Sequence, residues 1–379
     1  MKITAIKVSI FELPTNTALF DLTQVPYGRR MRWQSRKHRH TASPIHVMHV
    51  LTDSGLEGIC TVGDARYQTM RREELEALRI MAIGTDPLDR EYIDDKLRAA
   101  TRSIFSRPGW HGTFDNCLWD IAGQAANLPV YALIGRARPR CKAYYNFPSG
   151  SLETAREGIA EALESGFTAL KDHWTGTPET NIAWSRAIRD QVGPDIELLH
   201  DAAGSPYTLR EALHVGRVLE ELEYGWFEEA ISDRDLQGLQ TLCSELDIPI
   251  MALETLMHDH ELCSAWIRAG ATDLIRANAR HGTTAVLKLD HLAAAHRSTI
   301  ELNGPGGLFG IVHAHLVCAL SNTNYYEYFP GGSRDEIGRE IGLLNPPLPI
   351  AGYIVPPEAP GWGSEWDWPY FTKKRLAEW

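Results

Sequence analysis

The first residues, MKITAIKVSIFELP, alternate apolar and polar positions, which predicts a strand over residues 2–12. PIHVMHVL (45–52) predicts a second strand, and Asp53-Ser54-Gly55 ahead of Leu56-Glu57-Gly58-Ile59 predicts a tight hairpin turn. An antiparallel sheet therefore opens the chain. From about 70 to 134 the period changes. In FDNCLWDIAGQAAN the apolar residues Phe114, Leu118 and Ile121 recur at three- and four-residue steps, so helices complete a first domain of sheet plus helices.

After AYYNF (143–147) amphipathic helices with glycine stops alternate with short apolar strands. The strands are TALK (168–171), IELLHD (196–201), WFEE (226–229), IPIMALE (248–254), TDLIRAN (272–278), STIELN (298–303) and YYEYF (325–329). Seven or eight serial β/α units at a nearly constant period predict an α/β closed barrel. The expected division is a cap over 1–135, a barrel over 136–349, and a proline- and tryptophan-rich segment from about 350 to 379 that packs back on the cap.

Reactive groups of such barrels sit at the C-terminal ends of the strands. Here those positions hold Lys171 and His173, Asp201, Glu228, Glu254, Asn278 and Glu327. Asp201, Glu228 and Glu254 end three consecutive strands and aim three oxygen donors at one point, the pattern of a divalent-cation site. Oxygen donors without cysteine favour magnesium over zinc. Glu229 is expected to face the other way by strand alternation.

FDNCLWDIAGQAANLPVYALIG, LKDH, HDAAG, WFEEA, PIMALE and YYEYF together resemble the enolase superfamily, and most closely its mandelate-racemase-like branch. The resemblance covers nearly the whole chain. It implies a (β/α)7β-type modified TIM barrel with an α+β capping domain, with Asp201, Glu228 and Glu254 as ligands of Mg2+ and Glu327 in the place of the branch's eighth-strand glutamate. It also implies removal of the α-proton of a carboxylate substrate. That step places a second negative charge on the carboxylate oxygens, which a preorganised cation offsets.

The departures from the branch direct the reading further. Its members usually carry Lys-x-Lys on the second strand, and this chain has Lys171-Asp172-His173. His173 thus takes the place of the base, with Lys171 polarising the substrate carboxylate. A histidine titrates near neutrality and is basic in its neutral form. The branch's second base, an aspartate on the sixth strand with a histidine on the seventh, is replaced by Asn278 and Gly307. Two-base racemisation loses a participant, whereas elimination needs one base. The expected reaction is dehydration of an acid sugar, an aldonate or aldarate, to a 2-keto-3-deoxy acid, a hydro-lyase activity. A sugar-lactone cycloisomerase, an epimerase or an inactive metal-binding relative stays open. His313 beside His315, and Arg276, Arg280 and His281 beside the sixth strand, are further polar groups near the expected pocket, His313 and Asn278 being candidate substrate contacts.

Composition narrows the partners. The chain has 379 residues, 44% of them hydrophobic, which is enough for a large core. A net charge of -11 disfavours nucleic acid, and no run of eighteen apolar residues predicts a membrane span. Against that acidic background, residues 22–52 contain no Asp or Glu but include Arg29, Arg30, Arg32, Arg36, Lys37 and Arg39. This basic stretch is expected to be a loop that covers an anionic substrate, with Tyr27 and Arg29 as its contacts. Six widely spaced cysteines without CxxC, and an N-terminus without signal-peptide character, lead to the expectation of a reduced, cytoplasmic protein. A homo-oligomer acting on a small carboxylate is expected.

Overall fold

A computed structural model describes the chain except residues 28–29, 63–68, 102–109, 203–204, 206, 305–307 and 331–336, with the backbone alone at 13–23, 25, 27, 30, 32–43, 101 and 337. Strands β1 (Ile3–Tyr27), β2 (Arg30–Thr52) and β3 (Glu57–Thr61) form the antiparallel sheet. β1 and β2 are far longer than the alternation predicts. Their pairing runs from Ile3↔Thr52 to Tyr27↔Arg30, so the described backbone of the basic stretch is paired strand where a loop is expected. Among the described residues four helices follow, of which Trp110–Ala126 is buried along most of its length.

Eight parallel strands close the second domain: β4 (Cys141–Asn146), β5 (Ala169–Asp172), β6 (Glu197–Asp201), β7 (Tyr224–Glu228), β8 (Ile250–Ala252), β9 (Leu274–Ala277), β10 (Thr299–Leu302) and β11 (Tyr326–Tyr328). Neighbours in sequence are neighbours in the sheet, and β11 pairs with β4 to complete the barrel. Each parallel step requires a crossover, supplied by the seven helices between these strands. Side-chain caps start several of them, as where Ser151, Thr177, Thr208, Asp235 and Asp259 each accept a first-turn amide.

Tyr144, Ala169, Leu199, Trp226, Met251 and Tyr325 form an apolar cluster separate from the main core. One comes from each of β4 to β8, and Tyr325 directly precedes β11, so they are the barrel's floor. Burying each of the larger ones contributes on the order of 2 kcal/mol. Alternation then puts the residue two positions later on the same inward side. For five of the six floor residues these are Asn146, Lys171, Asp201, Glu228 and Glu327, so a polar layer lies above the floor on those strands; Met251 is the exception, followed by Leu253.

Cap and barrel are joined through the helix Trp110–Ala126. The Asn116 amide donates to the Ala279 carbonyl (2.9 Å) and accepts from the Thr283 amide (3.0 Å), while Asp115 accepts the Thr284 amide (2.8 Å). These contacts hold the turn that follows β9. β12 (Tyr353–Ile354) pairs with β4, β13 (Ala377–Glu378) pairs with β1, and Trp362 donates to the Asn116 carbonyl at 2.8 Å. All six cysteines are free thiols. No helix among the described residues is long and apolar enough to cross a membrane.

Candidate active site

At the C-terminal end of the barrel the buried Lys171 ammonium lies 3.2 Å from Asp201 Oδ2, 2.9 Å from Glu228 Oε2 and 3.0 Å from Glu327 Oε1. The register explains part of this convergence. Asp201 pairs directly with Glu228 across β6 and β7, and β5 lies beside β6. Burial and the nearby Arg276 push the Lys171 ammonium down, but Glu228 and Glu327 outweigh them and lift it well above the usual lysine range. Burial raises Asp201 and Glu327, yet Lys171 and the other cations near them hold both carboxyls below the usual carboxylate range.

Arg276, on β9, is fully buried and clamps the same glutamate. Its Nε is 2.5 Å from Glu228 Oε1, its Nη2 is 2.6 Å from Oε2, and Nη2 also reaches the Tyr144 hydroxyl at 3.2 Å. Two cations therefore hold both oxygens of Glu228, and that carboxylate is fixed in place. Sequence reasoning placed Arg276 near the pocket without this role. The inward alternation shared by 276 and 278 was the available signal.

His173 directly follows β5. Its Nε2 is 3.2 Å from Asp201 Oδ2, and its ring is about one-third exposed, so it stands between the carboxylate cluster and the open face. Behind it, Asp172 Oδ1 meets the buried His200 Nδ1 at 2.8 Å, tying β5 to β6.

Glu254 is nearly buried one residue beyond a left-handed Leu253 (φ 76°). Glu229 departs from the expectation that it faces away. Its φ of 48° breaks the strand alternation, and its carboxyl is pushed up to about 8 by burial and by Asp201, Glu254 and Glu228. These acidic groups therefore share one neighbourhood. Among the described residues no three His, Cys, Asp or Glu groups already stand in a metal cage. The donor set is nonetheless all oxygen and strongly anionic, the chemistry that suits a hard divalent cation.

Across the barrel, Asn278 donates through Nδ2 to the Asn303 side-chain oxygen (2.6 Å) and to its carbonyl (2.9 Å). Asn303, at the end of the seventh barrel strand, is the partner in space of Asn278. Gly307, named for that place from the sequence, lies outside the described residues, as does Arg29, and the Tyr27 side chain is likewise not described. His313 is buried in the helix Phe309–Ala319 and its Nε2 accepts the Ala279 amide at 3.1 Å, so it holds the turn after β9. Asn146, not singled out from the sequence, donates to Glu327 at 3.3 Å.

Residues 153–370 match the family model described as enolase C-terminal domain-like, and residues 25–135 match the N-terminal domain of mandelate racemase and muconate lactonizing enzyme. The chain belongs to the enolase superfamily. Among curated superfamily relatives, arabinonate dehydratase of Saccharolobus solfataricus is 31% identical over 288 residues, covering 72% of this chain and 74% of that protein. L-talarate/galactarate dehydratase of Salmonella typhimurium is 29% identical over 262 residues, covering 65% and 63%. The crystal structure of D-glucarate dehydratase from Agrobacterium tumefaciens, complexed with magnesium, superposes with a TM-score of 0.81 at 27% identity and covers 100% of both chains. The capped barrel is thus the superfamily fold, and the cluster at Lys171 lies at the end of the barrel where that fold carries its chemistry.

Proposed function

We propose that this enolase-superfamily enzyme dehydrates a sugar acid, an aldonate or aldarate, to a 2-keto-3-deoxy acid, with magnesium as cofactor. The observation that carries this reading is the placement of His173 beside Asp201, at the rim of a buried carboxylate cluster, opposite a pair of amides. Asp201, Glu228 and Glu254 would hold the magnesium ion. When bound, the ion supplies positive charge to the substrate carboxylate as the α-proton leaves.

His173, its ring about one-third exposed, takes the α-proton through a ring nitrogen. Lys171, firmly protonated, offers its ammonium to the substrate carboxylate. The electron pair of the broken C–H bond forms the carbon–carbon double bond, and the β-hydroxyl leaves as water with the proton that His173 has taken. The enol then tautomerises to the 2-keto acid. Asn278 and Asn303 are amides and neither takes nor delivers a proton near neutral pH. Chemistry needing a second base on the opposite face is therefore disfavoured, which argues against racemisation or epimerisation.

The similarity to relatives named as arabinonate and L-talarate/galactarate dehydratases supports the same substrate class. Semicarbazide detection of 2-keto acids across an aldonate and aldarate library tests it. At least one sugar acid should give a magnesium-dependent signal, and a library wholly without signal contradicts the proposal.

A further inference from the structure

On the first, second, third, fourth and eighth barrel strands the site residue lies two positions beyond a floor residue: Asn146 after Tyr144, Lys171 after Ala169, Asp201 after Leu199, Glu228 after Trp226, Glu327 after Tyr325. The fifth strand breaks this rule. Two positions beyond its floor residue Met251 stands Leu253, and the carboxylate comes one residue later, at Glu254. Leu253 packs in the main core beside Ala252, outside the barrel floor, so the alternation slips by one here. Its left-handed backbone, φ 76°, makes that slip possible, although a branched side chain is costly in such a conformation.

One side chain fastens the kink on both sides of Glu254. The buried Asp233 accepts the Leu253 amide through Oδ1 (2.8 Å) and the Thr255 amide and hydroxyl through Oδ2 (2.8 Å each). Asp233 belongs to the loop after β7, and the Trp266 indole donates to its carbonyl at 2.8 Å, anchoring that loop from outside the barrel. Both carboxylate oxygens are used by backbone amides. An asparagine at 233 must therefore turn its NH2 towards one of two N–H groups.

We propose that Asp233 is a positioning residue for the magnesium site: it straddles Glu254, holds the left-handed turn at Leu253, and so directs the Glu254 carboxylate inward. This rests on the magnesium reading of Asp201, Glu228 and Glu254. The measure is magnesium affinity by titration calorimetry on the whole chain, with far-UV circular dichroism to confirm folding. Asp233→Asn should weaken magnesium binding by about tenfold or more, as loss of a partner that orients a ligand commonly does. Adding Leu253→Gly should recover most of that loss, because glycine adopts the turn without a fastening. A merely structural role would not give this rescue, since glycine at a core position removes packing.

Glu254→Gln in the same titration separates the proposal from its premise. If Glu254→Gln leaves affinity unchanged, the magnesium reading fails and this proposal with it. If Glu254→Gln weakens binding but Asp233→Asn does not, or the double variant binds no better than Asp233→Asn, the positioning role alone is overturned. Should Asp233→Asn not fold, Asp233→Glu, which displaces both oxygens by a methylene, carries the same test. Weakened binding supports the role, and parent affinity overturns it.

Discussion

Arg276→Met tests the electrostatics of the cluster. Methionine retains much of the aliphatic volume but deletes the guanidinium that holds both Glu228 oxygens at 2.5 and 2.6 Å. Glu228 is then left with Lys171 at 2.9 Å, a cation that it shares with Asp201 and Glu327. Removing one partner of a fully buried ion pair costs about 3–5 kcal/mol, because the remaining charge stays in a low-dielectric site. For a chain of this size, whose unfolding entropy is about 0.8 kcal/mol per kelvin, that corresponds to a fall in melting temperature of about 4–6 °C. A divalent cation at the same carboxylates replaces part of the lost charge, so the deficit should shrink at saturating magnesium. Differential scanning calorimetry of parent and variant, in EDTA and in magnesium, measures both quantities. A fall of less than about 2 °C in EDTA would show that the clamp contributes little. An equal fall in both buffers would separate Arg276 from the metal site and refute the reasoning.

Glu228→Ala should greatly weaken magnesium binding by calorimetry, and unchanged affinity and stoichiometry would remove Glu228 from the ligand set. His315 is fully buried, its Nδ1 accepting the Tyr131 amide, and burial pushes its pKa down to about 3. The unfolded chain binds this proton below about 6.5 and the folded chain refuses it until about 3, so stability is lost as pH falls through that window, by about 1.4 kcal/mol per pH unit. His315→Gln should lower the pH slope of urea-derived stability there by that amount, and an unchanged slope contradicts the assignment. The basic stretch from Arg29 to Arg39 should make kcat/KM fall with ionic strength more steeply than kcat, with charge reversal at Arg29 raising KM first. If neither constant responds, the stretch takes no part in substrate capture.

The barrel was legible because each strand carries its own apolar run and each crossover helix its own periodicity, so the end residues Lys171, Asp201, Glu228 and Glu327 could be read directly. Asn303 follows from the same rule applied to the seventh strand, where the likeness to the family drew attention to Gly307 instead. The long β1–β2 pairing was not legible, because residues 14–40 are rich in polar and basic positions and show no sustained two-residue alternation. Nor were the turns at Glu229 and Leu253, since both residues are poor candidates for a left-handed backbone by type. Their conformation depends on tertiary partners such as Asp233, which lies 20 residues from Leu253 in the chain. The clamp of Arg276 on Glu228 spans 48 residues and required the closed barrel to be seen.

The most direct test of the account is proton NMR of the turned-over sugar acid in D2O with magnesium, for the parent and for His173→Asn. The parent should form a 2-keto acid that carries solvent deuterium at C3, and α-hydrogen loss should occur from one α-epimer only. His173→Asn should bind magnesium as the parent does and lose α-proton abstraction. Exchange at the parent rate in His173→Asn, or equal exchange from both epimers in the parent, would contradict one-sided dehydration with His173 as the base.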